Sequence, residues 1–143
     1  MTGRGTLAGE RVVITDADFD RLNQLTQSRR YRATHSALLA DLKGELDAGD
    51  VVAPSNVHRC VVTMNSRVRV RDLRTGEAET FTLVYPEDAD INAEKLSVLA
   101  PLGTALLGSR AGRTVEVNAP GGTRRLKVER ILYQPEAAGD YHL

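Results

Sequence analysis

The apolar residues of this chain change their repeat once, and that change constrains the fold more than any other feature. Between Asp16 and Gly49 they recur at three- and four-residue steps, and from Arg59 onward at two-residue steps. The first spacing lines one face of a helix and the second one face of a strand. The chain is therefore expected to be α+β, with helices first and a sheet second.

The helical part opens on Ile14-Thr15-Asp16-Ala17-Asp18-Phe19. Thr15 is placed to cap a helix, Asp18 stands at its third position, and Ile14 and Phe19 have the spacing of a hydrophobic staple. Asp16, Asp18 and Asp20 put negative charge where the helix dipole favours it. Phe19, Leu22 and Leu25 continue one stripe to about Gln27, where Ser28-Arg29-Arg30-Tyr31-Arg32 breaks the pattern. Thr34 or Ser36 then caps a second helix carrying Leu38, Leu39, Leu42 and Leu46, and Gly49 ends it. Two such helices predict a short antiparallel hairpin over residues 11–49, with an arm of roughly 20 Å and the basic residues Arg29, Arg30, Tyr31 and Arg32 at or around its tip. So few apolar positions cannot hold the arm alone, so it must lean on something larger. Residues 1–10 are expected to be a flexible N-terminus and 50–58 a linker.

From 59 to 143 the pattern predicts a β domain. Cys60-Val61-Val62 is a continuous β-prone run, Arg67-Val68-Arg69-Val70-Arg71 alternates, and Thr80 to Tyr85 returns as a strand that Pro86 stops. Leu96 to Ala100 is β-like, Leu102 to Leu107 is a short helical turn, and Thr114 to Val117 and Thr123 to Tyr133 form a last hairpin around Pro120-Gly121-Gly122. Gln134 to Leu143 reads as a loosely held polar tail.

Lys plus Arg and Asp plus Glu both total 19, so no global field draws the chain to nucleic acid or anionic lipid. Any electrostatic role must be local. Cys60 is the single cysteine, which excludes an intramolecular disulfide, and the start is Gly-rich and polar where a signal peptide needs an apolar core. Cytoplasm is the expected compartment. With no Trp and few other aromatics, an aromatic-lined ligand pocket or a base-stacking platform is disfavoured.

Catalytic chemistry finds little support. His35, His58 and His142 lie far apart, Cys60 sits in an apolar run, and no serine has a nucleophile elbow around it. Asp16, Asp18 and Asp20 are accounted for by the helix start, and Glu87, Asp88 and Asp90 by a solvated loop. Nothing in the sequence calls for a metal or cofactor. Two basic features remain, the hairpin tip and the Arg67, Arg69, Arg71 strand face. The tip can be a solvated loop or can meet a phosphate backbone or an acidic protein surface. The strand face is expected to be the exposed side of an antiparallel sheet.

Val61-Val62-Thr63-Met64-Asn65-Ser66, Thr82-Leu83-Val84-Tyr85-Pro86, Leu96-Ser97-Val98, Ala100-Pro101-Leu102-Gly103, Ala105-Leu106-Leu107-Gly108 and Pro120-Gly121-Gly122 together resemble the carboxy-terminal domain of the bacterial Gre transcript-cleavage factors. Within that group the chain is more similar to the Gre-like regulators of nucleoside diphosphate kinase, whose coiled coil is shortened; the run Tyr133 to Tyr141 resembles their ending. The resemblance implies an FKBP-like β domain that docks at the rim of the secondary channel of bacterial RNA polymerase, with the hairpin directed toward the channel. It implies Ser97, Pro101 and Leu102 as docking residues, and for Met64 and Asn65 either a contact or a turn. Cleavage-competent Gre factors carry acidic residues at the tip of a long coiled coil to help hold the catalytic Mg²⁺ of the polymerase. Here the tip is Arg-rich and the arm short. The expectation is a monomeric, non-enzymatic regulator that competes with Gre-type factors without stimulating cleavage and acts only indirectly on nucleoside diphosphate kinase levels. A peptidyl-prolyl isomerase, on fold alone, and direct nucleic-acid binding through the basic patches are the alternatives.

Overall fold

The computed structural model describes residues 12–119 and 121–141. The segment 1–11, Pro120 of the predicted turn, His142 and Leu143 lie outside the described residues.

Helices α1 (Asp16–Thr26), α2 (Arg29–Arg32) and α3 (Ser36–Ala48) follow a three-residue strand β1 (Val13–Thr15). Thr15 Oγ1 accepts the Asp18 backbone N–H at 3.2 Å, so the cap is the expected one. The N-cap of α3 is His35, with neither Thr34 nor Ser36 in that role. The stretch read as a linker carries strand β2 (Asp50–Val52), which pairs in parallel with β1, Val13 opposite Asp50. Three-residue strands are too short to show a period, which is why the sequence pattern does not reveal them. The Asp50 N–H also donates to the Val12 carbonyl at 2.9 Å, and the Val13 N–H to the Gly108 carbonyl at 3.3 Å. Gly108 has φ +76°, and a Cβ there would lie 2.6 Å from that of Val12. The bare backbone admits the passing strand.

Strands β3 (Arg67–Asp72), β4 (Ala78–Val84), β5 (Lys95–Ser97), β6 (Thr114–Ala119) and β7 (Gly122–Tyr133) form one sheet in the order β5-β4-β3-β7-β6. The expected antiparallel sheet needs one correction, because β5 runs parallel to β4. Pro86 lacks the N–H that a continuing ladder needs, and the chain leaves through 3-10 turns at Pro86–Asp88 and Ile91–Ala93 and re-enters in the same direction. Cys60-Val61-Val62 is not a strand: only an isolated bridge joins Val61 to Arg110. Val61 and Val62 are fully buried, and a short apolar run reports burial without specifying the backbone.

Short helices α4 (Pro101–Leu106) and α5 (Pro135–Ala138) complete the chain. The tail is anchored, contrary to expectation. Gln134 is buried and its Nε2 donates to the carbonyls of His58 (2.9 Å) and Val61 (2.7 Å). Thr63 Oγ1 donates to Glu136 Oε1 at 2.7 Å, and the Tyr133 hydroxyl donates to Asp140. The core is one cluster in which Leu22, Leu42 and Leu46 of the helices meet the same interior as Met64, Leu83, Leu106 and Leu126. The helical pair thus leans on the sheet, as its few apolar positions require. Among the described residues no helix is long and apolar enough to cross a membrane.

Candidate functional site

Three places carry side chains whose arrangement exceeds what folding alone requires. The first is the turn from β5 into α4. Ser97 ends β5, its Oγ accepts the Leu99 N–H at 3.1 Å, and its carbonyl accepts the Ala100 N–H at 3.0 Å. Pro101, at the first position of α4, has the φ a helix start needs and no N–H to leave unpaired. Thr104 Oγ1 donates back to the Val98 carbonyl at 2.6 Å. Gly103 sits so close beneath the turn that a Cβ there would lie 2.1 Å from the Ser97 carbonyl oxygen. The result is a stiff knuckle: Pro101 is exposed, Ser97 and Leu102 are half-buried, and Leu102 packs its inner side on the core. Ser97, Pro101 and Leu102 are therefore brought together on one short turn. Gly103 is the supporting residue that the sequence reading missed, and its signal is a glycine in a helical turn, where alanine would otherwise be preferred.

The second is the joint between α1 and the sheet domain. Asp18 is buried, and its Oδ2 accepts the Met64 backbone N–H at 3.1 Å. Burial pushes its carboxyl up to about 6, with the Glu136 charge adding to the rise and the Met64 N–H, the Thr15 hydroxyl and Arg21 opposing it. Beside it the Arg21 guanidinium lies 4.0 Å above the Tyr85 ring, and burial raises the Tyr85 phenol well above its usual range. Met64 itself is buried, and Asn65 takes φ +67° with its N–H on the Leu83 carbonyl, so the Thr63 to Ser66 block shapes a turn. Asp18 was readable as more than a helix-start charge, because it shares the stripe of Leu22 and Leu25 at helical spacing.

The Asp18 environment fixes a pH dependence. Folding raises this carboxyl from an ordinary 3.8 to about 6, so the folded chain binds the proton more tightly than the unfolded chain does. The favourable contribution is complete below about pH 4 and is lost as pH rises to about 6. Asp18→Asn keeps an acceptor for the Met64 N–H and removes the ionisation. It is expected to stabilise the fold by about 2 kcal/mol at pH 8 and to have little effect at pH 4, read from urea unfolding at the two pH values.

The third place is the tip of the helical pair. The expected irregular loop is a single helical turn, α2, with Arg29, Arg30 and Arg32 exposed and Tyr31 half-buried. The Arg30 guanidinium lies 5.4 Å from the Tyr31 ring centre, and the His35 ring meets Tyr31 edge-on at 5.9 Å, a T-shaped arrangement that aromatic rings favour. None of the three arginines forms a salt bridge with a described carboxylate. The Arg67, Arg69, Arg71 face differs: Arg67 pairs with Glu94 at 3.0 Å, and Arg69 and Arg71 share Glu129. The paired arginines hold the Glu129 carboxyl below its usual range. Among the described residues no group of three His, Cys, Asp or Glu could hold a metal ion.

Residues 57–133 match the family model described as "Transcription elongation factor, GreA/GreB, C-term". The chain belongs to the GreA/GreB family. It is 42% identical over 134 residues to the "Regulator of nucleoside diphosphate kinase" of Escherichia coli K12, covering 92% of this chain and 96% of that protein. It is 28% identical over 136 residues to the "Transcription elongation factor GreA" of Magnetococcus marinus, covering 91% of this chain and 87% of that one. Among solved structures it is similar to the "Prokaryotic transcription elongation factor GreA/GreB from Nitrosomonas europaea", with a TM-score of 0.70 and 38% identity, covering 87% of this chain and 99% of that one. These relatives are named as a regulator and as elongation factors. The matched region includes the knuckle at Ser97 to Gly103 and ends at Tyr133, short of the anchored tail.

Proposed function

We propose that this GreA/GreB-family chain is a monomeric transcription regulator that docks on bacterial RNA polymerase at the rim of its secondary channel. It competes there with Gre-type elongation factors and does not stimulate transcript cleavage. The carrying observation is the stiff turn that presents Pro101, with Ser97 and Leu102 half-buried beside it, within the family match. A surface held by the backbone needs little ordering when it binds, so its contacts convert efficiently to affinity.

The helical tip supports the part of this reading that excludes cleavage. The 13 residues of α3 span about 20 Å, and the tip presents three guanidinium groups. A cation cannot help coordinate Mg²⁺, which takes oxygen ligands. An effect on nucleoside diphosphate kinase levels, as in the name of the E. coli relative, would be downstream of transcription. The function is tested by co-elution of the chain with purified RNA polymerase core enzyme. Co-elution is expected, and its absence at micromolar concentrations overturns the proposal.

A further inference from the structure

We infer that the α2 tip is a docking point for an acidic protein surface and does not bind nucleic acid; this rests on the polymerase reading above. Of the two arginine clusters, only the tip has its charge unspent. Arg67, Arg69 and Arg71 are matched by Glu94 and Glu129, whereas Arg29, Arg30 and Arg32 are exposed and have no described carboxylate partner. Three guanidiniums on one helical turn offer planar donor forks to carboxylates.

What lies around the tip selects the partner. The flanks of the helical pair are acidic, with Asp16, Asp20 and Asp47 exposed and Asp41 half-exposed. A nucleic-acid strand following the arm would leave the three arginines within a few nucleotides and meet these carboxylates. Lys43, the cation on the outer face of α3, is itself paired with Asp47 at 3.1 Å. Tyr31 offers no stacking platform, because its ring is taken up by Arg30 and His35 and packs inward on the core. The charge pattern thus fits a compact acidic patch met end-on by a basic cap. It does not fit a backbone that must be tracked along a groove.

The test places a photo-crosslinking residue at position 33 of the full chain, the exposed residue that ends α2, and adds it to an elongation complex with labelled RNA and DNA. The expected crosslink is to a polymerase subunit, mapping to a segment rich in Asp and Glu. A crosslink to RNA or DNA, or none from a chain that still binds, overturns the inference. In parallel, R29Q/R30Q/R32Q is expected to weaken polymerase binding about tenfold at low salt and to flatten its salt dependence. Unchanged affinity and salt slope overturn the inference while leaving the knuckle contact standing. A wild-type chain that does not bind polymerase at all removes the functional proposal itself, and the tip inference with it.

Discussion

Replacing Gly103 with alanine adds one methyl group and is expected to cost about 3 kcal/mol of stability. The new Cβ would stand 2.1 Å from the Ser97 carbonyl oxygen and 3.0 Å from the Val98 Cα. Both are backbone atoms, so no side chain can swing away, and α4 or the end of β5 must shift. That shift loosens the Ala100 N–H bond to the Ser97 carbonyl and the Thr104 hydroxyl bond to the Val98 carbonyl. A loss of this size lowers the melting temperature by roughly 10 °C in a chain of this length, measurable by circular dichroism. Gly44 is the control: a Cβ there meets nothing within 4 Å, so Gly44→Ala removes flexibility within α3 without a clash and should stabilise slightly. Equal melting temperatures for the two variants would show that the knuckle is not tightly packed.

The second large effect is on binding. P101A/L102D changes the exposed corner of the same knuckle and places a carboxylate on its apolar side. Loss of at least tenfold in affinity for RNA polymerase core is expected if the knuckle is a hot spot of the interface, where truncation costs about 2 kcal/mol or more. Pro101 is exposed and Leu102 only half-buried, so the variant should keep its fold, and a melting curve alongside the binding measurement separates the two effects. Undiminished binding by a folded P101A/L102D chain would move the docking surface elsewhere.

The sequence spoke clearly wherever a regular face meets the core. The Leu22, Leu25 and Leu39, Leu42, Leu46 stripes and the Val68, Val70 alternation are all buried, and each has a period long enough to read. It spoke poorly where single contacts between distant segments decide the outcome. Strands β1 and β2 are three residues long and find each other across the whole helical pair. Asp18 shares the stripe of Leu22 and Leu25, yet its partner, the Met64 N–H 46 residues away, leaves no signal in the sequence. The tail looks polar and loose because Gln134 and Glu136 are polar, yet each hydrogen-bonds to the 58–63 segment. For the candidate site, the proposed docking residues came from resemblance and the tip from charge. The rigidity of the knuckle came from neither, because it depends on the distance between Gly103 and a carbonyl that is far closer in space than the sequence reveals.

Occupancy of the polymerase without assistance to cleavage can be read on a backtracked elongation complex with end-labelled RNA, to which the chain is added alone or together with a cleavage-competent Gre factor. Alone it should leave the slow intrinsic cleavage unaccelerated, and in excess it should suppress cleavage by the Gre factor in a dose-dependent way. Faster cleavage with the chain alone, or Gre-stimulated cleavage that persists at saturating chain, would mean that the chain does not act as a competing, non-cleaving occupant.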